Sequence, residues 1–194
     1  MLAQDITPTA PAASPASPDD MMKAMMELAK PGPNHTILSS AIGEWTYTAK
    51  MWMDPDPKAP PITTSGATST RPIMGGRYFV SEHAGKMPLP GPDGKLADFD
   101  FKGSSTEGYD NVKKKYVATW LDNMGTGIIF MEGSYDAATK SLTYIGEYEP
   151  VPGMKTKARQ VIKYIDQDHR NVEWFENRGG TEVKSMEISY VRKK

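Results

Sequence analysis

The sequence predicts an all-β fold: an antiparallel up-and-down barrel of about ten strands, preceded by one or two short N-terminal helices. Two observations carry this reading. After Gly43 apolar residues alternate with polar ones at a two-residue rhythm, and through the second half turn signals recur at intervals of roughly a dozen residues. A chain of 194 residues suits one such domain without splitting.

Residues 1–18, MLAQDITPTAPAASPASP, hold almost nothing that could build a core and read as a disordered leader. Leu2-Ala3-Gln4-Asp5 resembles the end of a trimmed secretory signal. That points to a periplasmic or secreted protein, with a cytoplasmic one as the alternative. The remaining residues, 19–194, form the barrel domain with its preceding helices at 19–42. Pro18-Asp19-Asp20 supplies capping chemistry for a helix through MMKAMMELAK, which Pro31-Gly32-Pro33 stops. Met22, Met25, Met26 and Ala29 share one face of it, which should pack on something apolar. The methionine run could also bind copper(I), but flexible packing is the preferred reading. A second helix is expected from a cap at Asn34 through Ile42, ended by Gly43 in the left-handed region. The two helices should close one end of the barrel.

Trp45, Tyr47, Ala49, Met51 and Met53 alternate with Thr46, Thr48, Lys50 and Trp52, a strand with one buried face. Further strands are expected at 62–71, 77–83 and 98–109, with loops at 54–61, 72–76 and 88–94. VATWL, GIIFME, LTYIGEY, QVIKYI, NVEWF and VKSMEISYV follow, rich in β-branched and aromatic residues. Turns fall between them at Asp110-Asn111, Asp122 to Gly125, Asp136 to Ala138, Pro150 to Gly153, Asp166 to Asn171 and Asn177 to Gly180. An open meander of this length would leave exposed edges; closure removes them, so a barrel is preferred to a sandwich.

With 23 Lys and Arg against 24 Asp and Glu there is no global field to attract nucleic acid. Lys113, Lys114 and Lys115 read as a solvated hairpin tip. The absence of cysteine excludes disulfides, thiolate metal sites and a cysteine nucleophile. No apolar run approaches the roughly eighteen residues of a helical membrane span.

A set of short motifs carries a family resemblance. His35 with Gly43-Glu44-Trp45, Met74-Gly75-Gly76-Arg77-Tyr78, Gly108-Tyr109-Asp110, Trp120-Leu121-Asp122-Asn123-Met124-Gly125-Thr126, Gly133-Ser134-Tyr135-Asp136 and the ending Met186 to Arg192 together resemble the bacterial domain of unknown function numbered 1579. The resemblance runs from about Met25 to the C-terminus and leaves the leader out. It implies a lipocalin-like barrel of the calycin type, the class that includes fatty-acid-binding proteins. It implies no activity, cofactor or catalytic residue.

The candidate site residues follow from the barrel. Arg77, after two glycines, and Arg71, before the same loop, could face the barrel mouth and grip an anion through their fixed donors; the plainer reading is a tight turn with a surface ion pair. Trp120, Asp122, Asn123 and Thr126 sit at one hairpin, where Asp and Asn commonly cap their own turn. His35, His83 and His169 are too scattered for a metal site, and His83 is the strand histidine among them. Glu147 and Glu149 share a strand face but belong at a solvated end. No nucleophile elbow or phosphate-binding glycine loop is present.

The reading is a binding protein whose interior holds a small, mainly apolar or amphipathic molecule with a polar or anionic end. Trp45, Tyr47, Tyr78, Phe101, Trp120, Phe130, Tyr144, Trp174 and Tyr190 would line it, Asn123 would reach in, and Arg77 and Arg71 would orient the polar end. No cofactor, metal, catalytic residue, nucleic-acid partner or membrane span is expected, and the oligomeric state is open. The rival readings are an enzyme, a hydrolase or isomerase working in the barrel mouth, and a ligand-free structural or partner-binding module.

Overall fold

The computed structural model describes residues 17–53, 58–91 and 95–194. Most of the leader, and with it the trimmed-signal reading, lies outside these residues, as do the first half of the expected 54–61 loop and the last residues of the expected 88–94 loop. The chain divides into two compact units, 1–30 and 31–194.

In the first unit, α1 spans Pro18–Leu28. Ser17 is its N-cap, its hydroxyl accepting from the Asp20 amide at 3.2 Å, so the helix begins with proline at its first position rather than after it. No residue of α1 is buried. Met21, Met22, Met25 and Met26 are all exposed.

The second unit is a closed barrel in strand order β1-β10-β9-β8-β7-β6-β5-β4-β3-β2, every pairing antiparallel. It opens with α2, Pro33–Ser39. Gly32, not Asn34, caps α2: its amide donates to His35 Nδ1 at 3.0 Å, while the Asn34 side chain accepts from the Tyr116 hydroxyl at 3.1 Å. The strands are β1 Gly43–Met51, β2 Ile62–Ile73, β3 Tyr78–Pro90, β4 Leu96–Asp110 and β5 Lys115–Asp122. The remainder are β6 Ile129–Asp136, β7 Ser141–Tyr148, β8 Thr156–Tyr164, β9 His169–Arg178 and β10 Thr181–Arg192. Closure pairs Tyr47 of β1 with Tyr190 of β10 on one side and with Gly66 of β2 on the other.

β3 and β4 run further than the sequence implies, because Pro88 and Pro90 are in strand and not in loop. β3 pairs with β2 only as far as Gly85, so its continuation pairs with β4 alone, as a two-stranded ribbon. Gly91 donates its amide to Lys95 across this ribbon at 2.7 Å. By alternation the nitrogens of Pro88 and Pro90 then point away from β4, where no ladder bond is lost.

The barrel end bearing the β1 N-terminus is packed shut. Leu38 of α2, Ala41, Trp45, Phe79, Tyr116 and Leu142 are at most 2% exposed there. Arg192 ties α2 to the closure seam. Its Nη2 donates to the Ser40 carbonyl at 2.9 Å, Nη1 to Ile42 at 2.5 Å and Nε to Gln167 at 3.0 Å, and its guanidinium lies over the Trp45 ring. Arg192→Met keeps the stem and removes three charge-assisted bonds, and is expected to destabilise the barrel by roughly 2–3 kcal/mol; the urea unfolding midpoint measures this.

Candidate functional site

Register and alternation place one set of residues inside the barrel at mid-height: His83 on β3, Glu107 on β4, Tyr144 on β7, Gln160 on β8, Arg170 on β9 and Tyr190 on β10. Glu107, His83 and Gln160 are only half-buried, although all three face inward from a closed sheet. That accessible surface faces the inside of the barrel.

Arg170 dominates the electrostatics. It is 7% exposed, its guanidinium centre lies 4.7 Å from the Trp45 ring centroid and 4.6 Å from that of Tyr190, and its Nε is buried with no hydrogen-bond partner. Among the described residues no carboxylate makes a contact ion pair with it. Glu107 interacts with it at longer range and accepts a bond from the Tyr144 hydroxyl at 2.9 Å. Burial pushes the Glu107 carboxyl above the usual range, against the opposing pull of Arg170 and the Tyr144 bond. Burial, with Glu107 adding to it, drives the Tyr144 hydroxyl well up, and burial takes Tyr190 to about 12. These phenols are therefore neutral donors at ordinary pH.

His83 holds its Nδ1 2.9 Å from the Thr68 hydroxyl and packs edge-on to Trp120 at 5.1 Å. Burial first, then the Arg170 charge, lowers its imidazole to about 4. It is thus a neutral ring in the folded barrel.

Below this layer the lumen is walled by aromatic side chains held against the sheet. Trp120 Nε1 donates to Asp122 at 2.8 Å and Trp174 Nε1 to Glu176 at 3.0 Å, each carboxylate lying two residues along the same strand face. Tyr148 donates to the same Glu176 oxygen at 2.7 Å. Phe101 stacks on Trp120 with centroids 6.3 Å apart. Inward-facing glycines make room for these rings to lie flat: a Cβ on Gly103 would sit 2.7 Å from the Trp120 ring, and one on Gly85 2.6 Å from the Tyr47 hydroxyl. Gly66 likewise lies directly against Tyr47. The ribbon places Met87, Leu89 and Phe99, all half-buried, on the lumen-side parity beyond these rings.

The structure divides the residues named from sequence. Trp45, Tyr144 and Tyr190 are inward and buried, whereas Phe101, Trp120 and Trp174 are inward and half-buried. Arg71, Arg77, Tyr78 and Phe130 are exposed. Arg71 falls between the inward Thr70 and the β3 turn on the outward parity, and Arg77 folds back onto its own turn, donating to the Met74 carbonyl at 3.0 Å. Asn123 is spent on the turn, accepting from the Lys102 amide at 2.9 Å and donating to the Asp100 carbonyl at 2.8 Å. The inward arginine is Arg170, whose place beside the Asp166 turn looks like solvent in the sequence. Its parity with Val172 and Trp174 is the signal that could have found it, as is that of Glu107 with Phe101 and Tyr109.

Fold and interior together define a closed up-and-down barrel with one packed end and a lumen of mixed aromatic and polar lining. The chain belongs to the family described as protein of unknown function (DUF1579), whose model matches residues 30–192. No curated protein matches it in sequence. Among solved structures it is similar to the crystal structure of Rv2717c from M. tuberculosis, with a TM-score of 0.55 and 12% identity, over 85% of this chain and all of the other, a likeness of fold.

Two outcomes follow from the site's construction. Because the His83 imidazole titrates near 6.5 unfolded but near 4 folded, its contribution to stability is complete above 6.5 and drains away as pH falls toward 4. Between about pH 6.5 and about pH 5 the wild type should lose up to ~1.4 kcal/mol per pH unit from this group, and His83→Gln should flatten that slope in urea titrations. Gly103→Ala forces Trp120 off the wall and should cost about 1–3 kcal/mol, with a changed near-ultraviolet circular dichroism band.

Proposed function

We propose that this barrel binds a small amphipathic molecule in its lumen, the apolar body lying between the Phe101–Trp120 and Tyr148–Trp174 panels and the anionic end meeting Arg170. The observation that carries the reading is the guanidinium itself. A buried cation with no contact carboxylate and an unsatisfied Nε is costly to hold in an apolar interior, and an anion delivered from the lumen relieves that cost. Ring faces from Trp45 and Tyr190 keep the guanidinium aimed, so little ordering is required on binding. The aromatic panels fit the body of such a ligand because their polar edges are already bonded to Asp122 and Glu176, which leaves the ring faces as apolar wall.

Decanoate, decanol and decylamine share one apolar body and differ at the end, so quenching of tryptophan fluorescence by each separates anchoring from simple burial. Decanoate is expected to bind tightest and decylamine weakest. Arg170→Met should weaken decanoate by roughly ten- to a hundredfold while leaving decanol unchanged, the range of one charge-assisted hydrogen bond. Equal affinities for all three ligands, or no binding of any, would dismiss the reading.

A further inference from the structure

Arg170 and Glu107 occupy the same enclosed layer without forming an ion pair, and an anion entering that layer meets both. We infer that the lumen takes a carboxylate ligand together with one proton, Arg170 holding the ligand's carboxylate and Glu107 becoming the neutral acid beside it. This rests on the proposed binding of an anionic end at Arg170 and specifies the headgroup: a monocarboxylate, whose single charge one guanidinium and one neutral carboxyl can satisfy. A dianion would leave a second charge unmatched in the same space.

The groups facing Glu107 favour this outcome. Arg170 on β9 is the cation at its side. Tyr144 on β7, Tyr164 on β8 and Tyr190 on β10 are phenols held neutral by burial, and Tyr116 on β5 and Tyr47 on β1 stand behind them. His83 on β3 faces Arg170 as a neutral ring. Glu107 is thus the one carboxyl group in this layer among the described residues. A ligand carboxylate would draw on the same guanidinium that favours the Glu107 carboxylate and would add a like charge at close range. Two carboxylates sharing one cation in a low-dielectric site cannot both stay charged, and the second takes a proton. Glu107 already sits above the ordinary carboxylate range, so it is the group that protonates first.

Isothermal titration of the full chain with decanoate, run in phosphate and in Tris from about pH 6 to about pH 9, counts protons through the buffer dependence of the heat. Uptake rising on the alkaline side to approach about one proton per ligand is expected, with the apparent Kd climbing toward tenfold per pH unit there. Glu107→Gln should bind decanoate with no uptake and a flat pH profile, and His83→Gln should keep both. Tyr144→Phe removes a bond that favours the Glu107 carboxylate, so its uptake should shift to higher pH; this variant serves if Glu107→Gln does not fold. Decanoate binding with no buffer-dependent heat, or uptake that survives in Glu107→Gln, overturns the inference and leaves the lumen-binding reading standing. Failure of decanoate to bind at all removes both.

Discussion

The position of Trp45 governs much of the rest. It sits on the strand that closes the barrel, opposite Arg192 on β10 and Thr68 on β2, and its indole N–H donates to the Ala41 carbonyl just beyond α2 at 2.9 Å. The same ring carries the guanidinium of Arg192 and that of Arg170. One buried indole therefore joins the seam, the helix that packs the end and the cation of the interior. An arginine in an aromatic interior is tolerated because two ring faces replace part of its hydration.

The other half of the barrel is organised on the opposite principle, which is to keep large rings out of the middle. Tyrosine and tryptophan would ordinarily fill a barrel of this girth. Here inward glycines beside Tyr47, Trp120 and Tyr144 let the rings lie along the sheet, and carboxylates at i+2 hold both indoles there. Room in the lumen thus comes from two side-chain devices, and the backbone needs no special shape to provide it.

The alternation of β1 was legible because one face is buried almost without interruption, and the later strands because each is short and bracketed by Asp or Gly turn chemistry. The helix caps lie earlier than expected, at Ser17 just before Pro18-Asp19-Asp20 and at Gly32 two residues before Asn34. Only part of the interior was readable. Aromatic residues on a buried parity announce themselves, as Trp45, Tyr144 and Trp174 did. Arg170 and Glu107 did not, because each looks like a solvated charge until closure brings β4, β7 and β9 around one space. Arg77 misled for the converse reason: two glycines before an arginine resemble a binding loop, and the tight turn they make points the side chain back at its own carbonyl.

The ribbon formed by the ends of β3 and β4 leaves a row of main-chain groups beyond the reach of β2. In most proteins such a row invites a neighbouring chain to add a strand, the first step toward fibres or precipitate. Pro88 and Pro90 lack the two amide hydrogens that would otherwise point away from β4. An incoming strand would find carbonyls there with no donors between them. The barrel can thus extend a long arm past its own rim with the β3 edge of that arm blunted.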